Sequence, residues 1–348
     1  MKIVTADQMV ALEQASESLG TSTDTLMENA GLAVAVAARE VMGTAAGARV
    51  LILVGPGNNG ADGLVVARHL QRWGAEALAY VVSHRPLHDP KMELAQSYGV
   101  TILHSSEDAG FHYLDRALSR SLMVIDAVLG TGQARPIDGI TKDIILRVNT
   151  SRTGAHRPLV LALDLPTGVN PDTGQTDSAS LTADITVALG FPKIGLLTFP
   201  GVEHVGELRV VDIGLQYGLS EEQGIDLELI TGDWVSNNLP PRPLNSHKGT
   251  FGHVLVVAGS RNYVGAAYLV SQAAVRIGAG LVTLATPESV YPILAGKLTE
   301  IIHLPLPEDE VGRVHPDAAA VIRNNLGSYS ALAIGSGLGQ SEGTTDFL

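Results

Sequence analysis

From Arg49 onward the chain alternates short, continuously apolar runs with helical stretches, and this alternation restricts the fold more than any other feature. The runs VLILV (50–54), ALAYVV (77–82), VTIL (100–103), LMVID (122–126), LVLALD (159–164) and ITVAL (185–189) lack the every-other-residue polarity of a strand with one wet face. A strand apolar on both sides must be covered on both sides, which is the condition of a parallel sheet between two helical layers. Intervening helical stretches such as 61–73 and 138–149 suit right-handed crossovers. The expectation is an α/β domain over 1–218 with a Rossmann-like, doubly wound parallel sheet. Two helices precede it. Thr5 and Gln8 stand at capping-box spacing ahead of Met9 and Leu12, and a second helix runs from Thr23 or Asp24 to Gly43, a suitable stop.

Residues 219–243 turn polar and irregular and end in NNLPPRP, where proline removes backbone donors, so this stretch is read as a linker. The strand–helix pattern then restarts with HVLVVAGS (253–260), a helical stretch 265–278, LVTLAT (281–286) and ALAIGSGLG (331–339). A second α/β domain is expected over 244–348, in keeping with a length of 348 residues. It closes on SEGTTDFL, directly after a strand and a glycine-rich turn with no helix completed. It is therefore expected to be incomplete, since a final parallel strand would be left as an unprotected edge.

Charge and composition remove several classes of function. A formal net charge of −13 provides no concentrated basic surface for phosphate, so no nucleic-acid partner is expected. With no cysteine, disulfides, thiolate nucleophiles and Cys-ligated zinc are excluded. No apolar run reaches the ~18 residues needed to span a bilayer, and the amino terminus lacks the pattern of a secretory signal. A soluble, cytoplasmic protein without a membrane partner is the expectation. The histidines form no H-E-x-x-H pattern; His84, His88, His104, His112 and His156 fall in loops or polar segments. No G-x-S-x-G elbow is present.

Three strand ends carry polar groups. The first is Gly55-Pro56-Gly57-Asn58-Asn59-Gly60-Ala61-Asp62-Gly63. Its glycines permit close approach of a diphosphate to amides at a helix start. A dinucleotide fold of the ordinary kind also places an acid at the end of its second strand, but that strand ends in Ser83-His84. The second is Asp126 followed by Gly130, Thr131, Gly132, Gln133, Ala134, Arg135 and Pro136, where backbone amides and Arg135 suit phosphate. The third is Asp164-Leu165-Pro166-Thr167-Gly168, whose carboxylate, among apolar neighbours, suits acid–base work. Asn59, Asp126 and Thr167 together form a hard-oxygen set, suited to a monovalent cation, to Mg²⁺ or Ca²⁺, or to bonding among themselves. In the second domain, Gly259-Ser260, Gly265-Ala266 and Gly335-Ser336-Gly337-Leu338-Gly339 repeat the glycine-rich design.

In that order GPGNNGADGLVVARHL, VIDAVLGTGQARP, ALDLPTGVNPDTG and ALGFPKIGLLTFPG resemble the NAD(P)H-hydrate epimerase family. The later SHKGTFGHVLVVAGS, YVGAAYLVSQAAVRIGAGLVTLATP and ALAIGSGLG resemble the start of the ribokinase-like, ADP-dependent NAD(P)H-hydrate dehydratase, so the whole is similar to the bifunctional repair enzymes. That resemblance implies interconversion of the R and S forms of NADHX and NADPHX, in which the nicotinamide ring carries an added water. It implies that Asn58, Asn59, Gly60, Ala61 and Asp62, with Gly130, Thr131, Gly132, Gln133, Ala134, Arg135 and Pro136, contact the dinucleotide. Asp164 would bind substrate and act as the acid–base group. Asn59, Asp126 and Thr167 would bind K⁺, Thr167 standing where the family carries serine. Ala266 and Gly337 would touch the hydrated dinucleotide in the second domain. The family's HPGE and Gly-Thr-Gly-Asp segments do not occur, so ADP-dependent dehydration, with ADP and Mg²⁺ as its cofactors, is expected to be lost. A dehydrogenase using intact NAD and a non-catalytic dinucleotide-sensing module are the competing readings, and homo-oligomerisation is left open.

Overall fold

The computed structural model describes residues 1–86, 88–132, 136–153, 157–216 and 218–348. They divide into two compact units, Met1–Asn238 and Leu239–Leu348.

The first unit begins with α1 (Ala6–Ser18) and α2 (Thr23–Met42). The capping box at Thr5 forms as its spacing predicts: the Gln8 amide donates to Thr5 Oγ1 at 3.1 Å, and the Thr5 amide donates to Gln8 Oε1 at 2.9 Å. Helix α2 stops at Gly43, whose φ of 75° is left-handed. Then come β1 (Arg49–Val54), α3 (Asn58–Arg72), β2 (Glu76–Val81), α4 (Pro90–Ser97), β3 (Thr101–His104), α5 (His112–Leu118), β4 (Met123–Ala127), α6 (Gly139–Ser151), β5 (Leu159–Leu163), β6 (Ile185–Leu189) and β7 (Glu207–Val211). The strands form one parallel sheet in the order β3-β2-β1-β4-β5-β6-β7. Its direction of growth reverses between β1 and β4, and at such a switch point the strand ends leave a crevice.

The doubly apolar strands are explained by this packing. Val50, Ile52 and Val54 of β1 enter the core that holds Val34 of α2 and Leu64 of α3, while Leu51 and Leu53 enter the opposite core with Val124, Ile144 and Val148. Strand β7, at the edge and only half-buried, was not among the apolar runs read from sequence, because its mixed ELRVV face carries no such signal. In the stretch read as a linker, α7 (Ser220–Gln223) and α8 (Gly232–Asn238) belong to the first unit. Residues 225–229 run beside the amino terminus, the Ile3 amide donating to the Leu227 carbonyl at 3.0 Å and the Leu229 amide to the Met1 carbonyl at 2.7 Å.

The second unit contains β8 (His253–Val257), α9 (Val264–Arg276), β9 (Leu281–Pro287), α10 (Tyr291–Ala295), β10 (Ile302–Leu306), α11 (Ala318–Asn325), β11 (Ala331–Ile334) and α12 (Glu342–Phe347). Its parallel sheet has the order β10-β9-β8-β11. The expectation that no helix follows the last strand is corrected by α12. Ser341 caps it, its hydroxyl accepting from the Thr344 amide at 3.1 Å, and Phe347 is buried with Leu255, Val257 and Leu338. A helix of six residues is too short for periodicity to reveal. No helix among the described residues is long and apolar enough to cross a membrane.

Candidate active site

The glycine-rich turn joins β1 to α3, and close packing dictates its composition. A Cβ at Gly55 would lie 1.8 Å from the Val128 carbonyl oxygen, one at Gly60 2.1 Å from the Gly55 oxygen, and one at Gly63 2.5 Å from Ala127 Cβ. Asn58, Asn59, Gly60, Ala61 and Asp62 form the opening turns of α3, whose N-cap Gly57 supplies no side chain, so the helix start is not capped from within. Arg85, which the sequence reading passed over, braces the turn from behind. Its Nη1 donates to the Gly55 carbonyl at 2.5 Å and to that of Gly57 at 3.1 Å, and its Nε donates to Asp89 Oδ2 at 2.7 Å. A guanidinium there neutralises carbonyl oxygens that would otherwise repel an anion at this turn.

Asp126 lies in β4 and is fully buried. Its Oδ1 accepts from Thr167 Oγ1 at 2.7 Å and from the Val128 amide at 3.2 Å, and its Oδ2 accepts from the Thr167 amide at 2.7 Å. The Leu129 amide donates to Thr167 Oγ1 at 3.1 Å, tying the β4 and β5 loops together. Burial pushes the Asp126 carboxyl up to about 6, and the hydrogen bonds from Thr167 and Val128 only partly offset it. Asn59 lies against Gly130, where an added Cβ would be 3.3 Å from Asn59 Cγ, and its Nδ2 is buried with no hydrogen-bond partner among the described residues. Thr131 is half-buried, and Gly132 and Pro136 are exposed; Gln133, Ala134 and Arg135, like His156, lie outside the described residues.

Asp164 follows β5 with a φ of 67°, a left-handed conformation that a residue with a Cβ adopts at a cost. Its Oδ1 accepts from Lys193 Nζ at 2.5 Å and from the Leu189 amide at 3.0 Å. Lys193, 1% exposed, also donates to the Leu189 carbonyl at 3.1 Å. Asp62 and Glu13 complete the cluster. Burial, then the charge of Asp164, raises Asp62 well above the usual carboxylate range, and burial, against the opposing pull of Lys193, raises Glu13. Neither Lys193 nor Glu13 was a candidate from sequence. The available signal was a lysine isolated between the apolar pairs Phe191-Pro192 and Ile194-Gly195.

The donor set at Asp126 fits a singly charged hard cation. None of its described hydrogen-bond donors is charged, so the buried carboxylate lacks a counter-charge, and no group of three His, Cys, Asp or Glu suited to a metal occurs among the described residues. In the second unit Gly337 and Ala266 are brought together: a Cβ on Gly337, whose φ is 73°, would lie 2.6 Å from Ala266 Cβ.

Residues 23–195 match the family described as YjeF-related protein N-terminus, and residues 254–348 match NAD(P)H-hydrate dehydratase. The bifunctional NAD(P)H-hydrate repair enzyme Nnr of Moorella thermoacetica is 38% identical over 100% of this chain, and its counterpart from Thermofilum pendens is 36% identical over 99%. The chain belongs to this family. It spans 66% and 64% of the lengths of those two relatives. A crystal structure of the yeast protein ynu0 shares the fold, with a TM-score of 0.51 at 23% identity, covering 71% of this chain and 97% of that one. Membership in the bifunctional repair-enzyme family accounts for two α/β units in this order. The expectation that dehydration is lost finds no support, because residues 254–348 match the dehydratase family directly.

Proposed function

We propose that the first unit interconverts the R and S forms of NADHX and NADPHX. The observation that carries this reading is Asp164, held in a left-handed conformation with its carboxylate on the buried Lys193, at the end of β5 and in electrostatic contact with Asp62 of the turn after β1. The start of α3 and the loop after β4, from Gly130 to the undescribed Arg135 and on to Pro136, would take the diphosphate. Asp164 assists loss and re-addition of the hydroxyl at the ring carbon beside nitrogen, and the planar cation formed between these steps admits water from either face. Lys193 aims the Asp164 carboxylate. Asn59, Asp126 and Thr167 would hold K⁺, which would supply a counter-charge to the buried Asp126 carboxylate.

A dehydrogenase using intact NAD is disfavoured, since β2 ends without a ribose-binding acid and Arg85 is committed to loop carbonyls. For the second unit the reading is ADP-dependent dehydration of the S form, with Mg²⁺ as companion to the nucleotide. It is supported by the family match and by a polar cavity of about 670 Å³ at the ends of β8 and β11, lined by Ser260, Arg261, Arg313 and Gly337 among others. The setting proposed is the cytoplasm, with a small-molecule substrate and no nucleic-acid or membrane partner.

The test is equilibration of separated R and S hydrates by the purified chain, with K⁺ or Na⁺. The parent should accelerate it, and Asp164→Asn should lose at least ~10²-fold of that acceleration. A folded Asp164→Asn protein that equilibrates the epimers at the parental rate would remove Asp164 from the reaction.

A further inference from the structure

We propose that Asp62 is a second proton-transferring carboxyl of this reaction, the one that delivers a proton to the departing hydroxyl. The proposal rests on the epimerase reading above. Asp62 is 8% exposed, and its side chain accepts no hydrogen bond among the described residues. Folding gains little from an acid in that position, because burial strips most of its hydration and no hydrogen bond from the described residues replaces it. It is the fifth residue of α3, beyond the first turn where the helix dipole would favour its charge.

Its location supplies the reason for its presence. In the sheet order, β4 separates β1, which leads into Asp62, from β5, which leads into Asp164. A ring over the end of β4 would have one carboxyl toward each side, and the two epimers differ in which face carries the hydroxyl. The two carboxyls also differ in partners: Lys193 and the Leu189 amide hold Asp164, whereas Asp62 has neither. Burial, Asp164 from the end of β5, Glu13 from α1 and Glu28 from α2 all favour a protonated Asp62, against Lys91 from α4. A carboxyl that burial holds toward its acid form, two strands away from a lysine-paired carboxyl, is an arrangement suited to acid–base catalysis.

The carbon–oxygen bond breaks with its electron pair going to oxygen, which takes the Asp62 proton and leaves as water, while the ring-nitrogen lone pair forms the carbon–nitrogen double bond. Water then adds to the opposite face, its oxygen bonding to carbon and its proton passing to Asp164. Turnover of the other epimer runs the exchange in reverse.

The experiment uses the full chain, separated R and S hydrates and ¹⁸O-water, with the parent, Asp62→Asn, Asp62→Glu and Asp164→Asn. For Asp62→Asn we expect kcat reduced by ~10²-fold or more with KM little changed, partial rescue by glutamate, and a melting temperature no lower than the parent's. The parental kcat should fall as rising pH deprotonates Asp62, and that limb should be missing in Asp62→Asn. Turnover by Asp62→Asn within about threefold of the parent, or a loss confined to KM, would overturn the proposal while leaving the epimerase reading intact. A parent that neither accelerates epimerisation nor speeds ¹⁸O entry would overturn both.

Discussion

Lys193 shows how much of this site resides in single contacts. A fully buried ammonium is tolerated because it donates to Asp164 and to the Leu189 carbonyl, and removing it leaves the Asp164 charge uncompensated. Lys193→Met should therefore lower stability by about 3 kcal/mol in urea denaturation, and lower the epimerisation rate as well. Glu28 gives a cleaner pH signature. Although partial burial works against it, hydrogen bonds from Arg68 and Lys91 hold its carboxyl down to about 2, below the usual 4.5. A depressed carboxylate contributes stability that is present above its unfolded value and lost as pH falls through the folded one. Glu28→Gln should thus be less stable than the parent above about pH 5, with the gap closing toward about pH 2, as followed by thermal melts across that range. Asp126, Thr167 and Asp164 could be found from sequence because each closes or follows an apolar run. Arg85 and Glu13 could not, and Lys193 offered only its isolation among apolar neighbours, since all three reach the site through tertiary packing that their own sequence surroundings do not specify.

At the scale of elements, α3 is the piece that positions the site, and it does so by lying unusually close to its neighbours. A Cβ at Gly31 of α2 would stand 2.4 Å from Val65 Cβ, and one at Gly63 would stand 2.5 Å from Ala127 Cβ of β4. Glycine costs helix propensity at both positions, which close approach of the backbones repays. Gly63→Val should push α3 off β4 and cost about 1–3 kcal/mol by chemical denaturation, with loss of epimerase activity because Asp62 and the glycine turn move with the helix. The glycine pattern, the strand ends and the capping box at Thr5 are local and were legible. Strands β7 and β10 were not, because half-buried edges mix polar and apolar residues, and α12 was too short.

In the whole molecule, two compact units are joined in sequence by an exposed stretch over 239–247. Limited proteolysis should cut there first and release a 1–238 fragment that keeps the proposed epimerase activity, as judged by mass spectrometry and the hydrate assay. Loss of the fragment's fold would show that the first core does not stand alone. By itself the sequence determined the layered α/β class, the two-unit order and the three strand ends that carry polar groups, because periodicity, glycine and a polar group closing an apolar run are properties of neighbours along the chain. Tertiary structure alone decided which strand ends adjoin, that Asp126 and Thr167 bond to each other, and that Asp164 meets Lys193 while Asp62 accepts no hydrogen bond among the described residues. Those outcomes depend on the order β3-β2-β1-β4-β5-β6-β7 and on burial, which set the distance and dielectric between groups remote in sequence.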